Sequence, residues 1–211
     1  MTNDGYFAKS RPEMLVYFPA VPGRVLDVGC GQGGFGALLK ARAPATEVWG
    51  VEPVAQAHAQ AQRVLDRALC GSFDAGLDLP PGSFDTVVFN DSLEHLPDPQ
   101  AALALALRLL RPGGCVVASI PNVRYGPHLR EVLFQADWRY RDEGILDRTH
   151  LRFFTRRSIV RSFAEAGLRV QRIEGITPCW RGPRLWLARA LLPSGMQDML
   201  YLQFAVVATP A

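Results

Sequence analysis

Residues Val25 to Lys40 read V-L-D-V-G-C-G-Q-G-G-F-G-A-L-L-K: an apolar run, five glycines, then a helical pattern. Such a span lets a ligand or a second element approach the backbone closely. Gly29, Gly31 and Gly34 satisfy G-x-G-x-x-G, the fingerprint of a strand-turn-helix unit whose helix N-terminus receives a dinucleotide pyrophosphate. Gly29, Gly31 and Gly33 satisfy G-x-G-x-G equally. The glycines alone leave both readings open.

Asp27 separates them. A carboxylate beside this loop repels a doubly negative pyrophosphate at a site of low dielectric. S-adenosylmethionine (SAM) instead brings an ammonium and a sulfonium, which suit it. Glu52 stands 23 residues after Gly29, near the roughly 20 at which an acid grips ribose hydroxyls. A nicotinamide-dependent oxidoreductase survives only through the overlap in glycine spacing.

Methyl transfer from a sulfonium needs alignment, exclusion of water and, for a hydroxyl acceptor, a proton acceptor. Four histidines are available. His58 is expected on the solvated side of a helix, and His128 falls in an irregular stretch. His95, in S-L-E-H-L, follows a strand at its ligand-facing end, either facing substrate or capping the turn. His150, in D-R-T-H, is read as a proton acceptor oriented by Asp147, with a structural anchor as the rival reading. No His, Cys or carboxylate group has metal-ligand spacing, so no metal is expected.

Alternating elements must position these residues. Pro12–Phe18 is a short helix candidate. Strands are predicted at Val25–Val28, Glu47–Val51, Arg67–Gly71, Phe84–Asn90, Cys115–Ile120, Leu168–Ile173 and Tyr201–Ala208. Cys115–Ile120 is apolar enough for burial on both faces. Helices are predicted from the glycine loop to Ala43, over Val54–Ala68, from Asp98 as N-cap through Leu110 to the R-P-G-G stop, and from Thr155 to Ala166 with Gly167 as the stop.

Two irregular segments interrupt the alternation. One, about 122–154, is read as an inserted acceptor-side or lid region; within it Trp138–Gly144 is expected to pack its own aromatics. The other, about 175–200, contains L-W-L-A-R-A-L-L at Leu185–Leu192. That piece is expected to lie against the sheet or in a dimer, with a membrane or lipid-linked acceptor as the rival. The whole is a single domain, 1–211, with an α/β/α three-layer sandwich and a mostly parallel sheet.

Composition agrees. The chain has 211 residues, 48% hydrophobic and 20% charged, with a formal charge of +3. This suits one globular core, and the charge is too small to require nucleic acid. Cys30, Cys70, Cys115 and Cys179 form no C-x-x-C pair and are read as small buried thiols. The start lacks a signal-peptide core, and no apolar run approaches about 18 residues, so a cytoplasmic protein is expected.

The motifs V-L-D-V-G-C-G-Q-G-G, V-E-P, F-D-T-V-V-F-N-D-S-L-E-H-L and L-R-P-G-G-C-V-V-A-S-I-P, in this order, resemble class I SAM-dependent methyltransferases over about Val21 to Val170. D-R-T-H-L-R-F-F-T is similar to a bacterial branch that includes ubiquinone-pathway and glycosyltransferase-associated methyltransferases. The resemblance implies a Rossmann-like seven-stranded sheet with an antiparallel last strand. It implies Asp27, Gly29 and Gly31 around the methionine part of SAM, with Gly33 helping the turn and Cys30 among the cofactor-binding residues. Glu52 would hold the ribose and Pro53 would lie against the adenine. Ser72 and Phe73 occupy the place where the family usually has an adenine-reading Asp. Asn90, Asp91 and Ser92 would line the floor near the sulfonium.

The expected reaction yields S-adenosylhomocysteine and methylates an oxygen of a sugar derivative or quinone-like phenol. A regulatory or partner-supporting SAM-binding protein without turnover is the alternative. A homodimer is compatible with both; a nucleic-acid partner and a membrane span are not expected.

Overall fold

The computed structural model describes Phe7 and residues 10–211; most of the stretch read against a signal peptide lies outside the described residues. Seven strands form one sheet: β1 (Arg24–Val28), β2 (Glu47–Glu52), β3 (Arg67–Cys70), β4 (Phe84–Asn90), β5 (Leu110–Pro121), β6 (Leu168–Pro178) and β7 (Tyr201–Pro210). Their order is β3-β2-β1-β4-β5-β7-β6. The pairs from β3 to β5 are parallel, and β7 runs antiparallel to both β5 and β6. The strand order reverses beside β1. In open α/β sheets, ligands bind outside the carboxyl ends of the strands at such a point.

Six α-helices complete the described chain: α1 (Gly34–Arg42), α2 (Ala55–Ala61), α3 (Pro99–Leu109), α4 (Gly126–Gln135), α5 (Arg156–Glu165) and α6 (Pro183–Leu191). On one sheet face, Leu103, Ala106 and Leu109 of α3 and Ile159 and Phe163 of α5 pack on Val87, Phe89 and Val116. On the other, Phe35 and Leu39 of α1 join Met14 and Phe18 from the N-terminal 3₁₀ turn over Val25, Val48 and Val88. Burying such side chains contributes about 1.5–3 kcal/mol each.

The caps follow the sequence. The Asp98 side chain accepts from the Ala101 N–H, and Thr155 forms a reciprocal capping box with Ser158. Gly167, at φ 81°, supplies the left-handed stop after α5.

Several expectations fail locally. The second helix ends at Ala61, not Ala68, because the chain turns there to drive Leu65 into space left by a glycine: a Cβ at Gly50 would meet Leu65 at 2.5 Å. The R-P-G-G stop is drawn into β5, opposite a register shift between Phe84 and Thr86. Segment 122–154 contains α4, which reads as irregular because it buries only His128 and exposes Leu133 and Phe134. Segment 175–200 contains the end of β6, α6 and the 3₁₀ turn Ser194–Leu200.

The apolar piece on α6 is not covered by the sheet. Trp186 and Leu191 are each 73% exposed and only Ala188 of the helix is buried, while Leu200 of the 3₁₀ turn is buried. The uniformly buried thiols also fail. All four cysteines are free, and Cys70, at the end of edge strand β3, is exposed. His58 is half-buried, with Nε2 3.1 Å from the Ala68 carbonyl, so it ties α2 to β3 and is not merely solvated.

Candidate active site

β1 delivers Asp27 and the glycine turn to the carboxyl edge of the sheet, and β2 delivers Glu52 beside them. Gly29, Gly31 and Gly33 have φ of 75°, 54° and 83°, a region that side-chain-bearing residues avoid. The turn is tied to β2: the N–H groups of Gly29 and Cys30 donate to the Val51 carbonyl at 2.8 and 3.1 Å. Glu52 accepts from the Gly31 N–H through Oε2 and from the Val54 N–H through Oε1, both at 2.9 Å. A carboxylate has about four lone-pair positions, so Glu52 retains acceptor capacity for a diol.

Asp27 and Glu52 are 2% and 3% exposed. Burial, then the Glu52 charge, pushes Asp27 up to about 7; burial also raises Glu52. Two acids held this way are complementary to a cationic ligand. The floor offers polar atoms as well: Asn90 Oδ1 and Nδ2 and Ser92 Oγ are buried without a hydrogen-bond partner among the described residues. The donor set therefore fits SAM.

Each glycine is crowded by a different neighbour. A Cβ on Gly29 would stand 2.9 Å from Ser92 Cβ, one on Gly31 2.6 Å from the Phe7 carbonyl oxygen, and one on Gly33 3.3 Å from Val64 and Leu65. The Gln32 N–H donates to that same Phe7 carbonyl at 3.0 Å. The Phe7 backbone thus lies against the loop.

Beyond Ser92, the short 3₁₀ turn Leu93–His95 meets the end of the insertion. The Glu94 carbonyl accepts from the Leu151 and Arg152 N–H groups at 2.8 and 3.1 Å. The His95 and His150 rings stack edge-on with centroids 4.7 Å apart. His150 Nε2 lies 3.9 Å from Glu94 Oε1. Burial lowers both imidazoles from their ordinary value and pushes Glu94 up to about 8.

A family model described as a methyltransferase domain matches residues 4–173. The chain belongs to this family, within the class I SAM-dependent methyltransferases. A ubiquinone biosynthesis O-methyltransferase from Thiobacillus denitrificans is 34% identical over 168 residues, covering 75% of this chain and 70% of that protein. One of the same description from Paracidovorax citrulli is 43% identical over 108 residues, covering 47% and 44%. This chain spans less than half the length of several curated relatives it matches. A solved SAM-dependent methyltransferase from Archaeoglobus fulgidus shares the fold at TM-score 0.71 and 20% identity, over 98% of this chain and 94% of that one.

Within this methyltransferase domain, the predicted residues fall into two groups. Asp27, Gly29, Gly31, Gly33, Glu52, Asn90 and Ser92 gather at the carboxyl ends of β1, β2 and β4. Other side chains are engaged elsewhere. The Cys30 thiol packs where Gly50 has no side chain, since a Cβ there would stand 2.5 Å from its sulfur. Phe73 is buried edge-on against Phe89, while Pro53 and Ser72 are exposed. Asp91, at φ 51°, is ion-paired with Arg11 and accepts from Ser119 and Gln203 at 3.0 and 2.8 Å.

The expected Asp147–His150 side-chain bond is corrected. His150 Nδ1 lies 2.9 Å from the Ile145 carbonyl, whereas Asp147 Oδ1 accepts from the Thr149 N–H and hydroxyl at 2.8 and 2.6 Å. Thr149 in turn holds His95 Nδ1, at 3.0 Å from Oγ1 and 3.2 Å from the carbonyl oxygen. Asp147 therefore orients the other histidine. The expectation of no metal rested on spacing along the chain; the fold brings His150 of the insertion against the consecutive pair Glu94 and His95, a grouping that spacing does not display.

Sequence reading also missed Asn122. Fully buried, it donates to the Asp198 and Tyr201 carbonyls and accepts from the Arg124 N–H. Pairing of Asn122 with Phe154 closes the insertion at its base. Trp138 packs on His128 and Phe153 at 5.1 and 5.5 Å. Arg141 pairs with Glu131 through both carboxylate oxygens. Only Trp138 of that tract makes ring contacts within the insertion, and Trp138 and Tyr140 both remain exposed.

Proposed function

We propose that this domain transfers the methyl group of SAM to an oxygen of a small-molecule acceptor, with quinone-like phenols and sugar derivatives as the favoured classes. One observation carries the reading: the Gly29–Ser92 contact joins the acidic glycine cradle directly to the segment bearing Glu94, His95 and, across it, His150. SAM supplies an electrophilic methyl on a good leaving group. The chain's own residues bind and orient: Asp27 faces the cationic methionine part, Glu52 holds the ribose, and Asn90 and Ser92 offer polar atoms at the floor. The acceptor hydroxyl is placed against the Glu94–His95–His150 cluster, which assists the loss of its proton.

The relatives named as ubiquinone biosynthesis O-methyltransferases support a phenolic acceptor. Among the described residues no helix is long and apolar enough to cross a membrane. Mass spectrometry of small molecules retained by the purified protein, followed by assays of acceptor-dependent S-adenosylhomocysteine formation, tests the proposal. Product formed only with acceptor supports it. Tight SAM binding with no turnover on any phenol or sugar offered favours the regulatory alternative.

A further inference from the structure

Glu94, His95 and His150 each bring one donor atom to within 4.8 Å of the other two, and we propose that they form a binding site for a divalent transition-metal cation. Its role in catalysis rests on the methyl-transfer reading above; the binding itself does not.

The tautomers are set by the surroundings. The Ile145 carbonyl can only accept, so His150 Nδ1 carries the proton and Nε2 the lone pair. The Thr149 carbonyl likewise fixes the proton of His95 on Nδ1. The Thr149 hydroxyl gives its hydrogen to Asp147 and accepts from the same ring. A carbonyl or carboxylate-linked group behind an imidazole is the usual outer-shell arrangement of a metal-ligating histidine.

The third donor is a carboxylate that lacks other employment. Glu94 is 1% exposed, and neither carboxylate oxygen has a hydrogen-bond partner among the described residues. A buried polar group left this way is costly unless something absent from the chain satisfies it. Backbone bonds from Leu151 and Arg152 to the Glu94 carbonyl lock the two segments together, so the donors are preorganised.

Two imidazoles and one carboxylate select zinc, iron, cobalt or manganese over calcium or magnesium, and leave coordination positions open. Donors sharing one cation at about 2.1 Å stand roughly 3–3.5 Å apart, so side-chain rotation has to close the 3.9 Å between His150 and Glu94 and the other separations within the 4.8 Å grouping. An acceptor hydroxyl on an open position would lose its proton to bulk water more readily. The methyl carbon then bonds to that oxygen while the C–S pair stays on sulfur.

The test uses Co²⁺ as the probe, titrated into the full chain and followed by its visible absorption. One saturable band, with affinity ten- to a hundredfold weaker or worse in both His95→Ala and Glu94→Gln, is expected. Co²⁺ should also raise the melting temperature of the wild type and not of the variants. His95 is only half-buried, so its variant remains informative if Glu94→Gln folds poorly. No band in the wild type, or equal affinity in wild type and His95→Ala, overturns the site. Acceptor-dependent S-adenosylhomocysteine formation is scored separately, so failure of the metal site and failure of the methyl-transfer reading are distinguishable.

Discussion

The backbone N–H of Gly31 lies 2.9 Å from Glu52 Oε2, so the acid that reads as a ribose ligand also holds the turn that faces the cofactor. Glu52→Ala removes this bond and the one from Val54. Hydrogen bonds to a charged group contribute about 1.5–3 kcal/mol each. SAM affinity should fall roughly ten- to a hundredfold, and the melting temperature should fall with it. Glu52→Gln keeps one acceptor oxygen and should lose less of both. Calorimetric titration and thermal melting check this; equal melting of Glu52→Ala and wild type would remove the turn-holding role.

Gly31→Ala introduces a Cβ 2.6 Å from the Phe7 carbonyl oxygen at φ 54°. The chain must relieve both contact and conformation, and a non-glycine residue in this region costs about 1–2 kcal/mol. We expect the Phe7 contact to open, so the Gln32 N–H, which donates to the Phe7 carbonyl, should exchange with deuterium faster than in wild type. An exchange rate matching wild type would show that the contact does not depend on this approach.

How far the sequence disclosed this arrangement varies with the range of the signal. Asp27, the glycines and Glu52 lie within one strand-turn-helix-strand unit, and their placement beside one another follows from local spacing. β4 and β5 were legible from apolar runs, and the cap at Asp98 from its neighbour Pro99. The antiparallel course of β7 came only from family resemblance, because strand direction leaves no mark on Tyr201–Ala208. α4 was hidden since it presents no apolar stripe to a core. The Glu94–His95–His150 cluster was hidden for a different reason: its members lie on two segments that meet only after the insertion folds back. Asp147 and His150 are near neighbours in sequence, yet the turn aims Asp147 at Thr149.

His150 offers a clean separation of chemistry from anchoring. His150→Asn places an amide N–H near the position of Nδ1, where it can still donate to the Ile145 carbonyl, but it lacks Nε2. If the ring works only as an anchor, Asn retains most activity and Ala loses it. If Nε2 receives a proton or binds a cation, both variants lose about 10²–10⁴ in the methyl-transfer step, with SAM affinity near wild type. Single-turnover rates at saturating acceptor decide the matter.

The last expectation concerns pH and follows from Asp27. Burial and the Glu52 charge raise its carboxyl to about 7 from an ordinary value near 4, so between these limits the folded state binds more protons than the unfolded one. Stability therefore falls as pH rises across that window, since its slope follows the excess of protons on the unfolded state, here negative. A cationic ligand reverses the preference by stabilising the ionised carboxylate. SAM affinity should accordingly rise from about pH 5.5 to 8, by at most tenfold per pH unit for one proton released. Asp27→Asn should flatten that limb while weakening binding at pH 8. Calorimetry in two buffers of different ionisation enthalpy measures the proton directly: release near pH 6 that disappears in Asp27→Asn assigns it to this residue, and release that persists assigns it elsewhere.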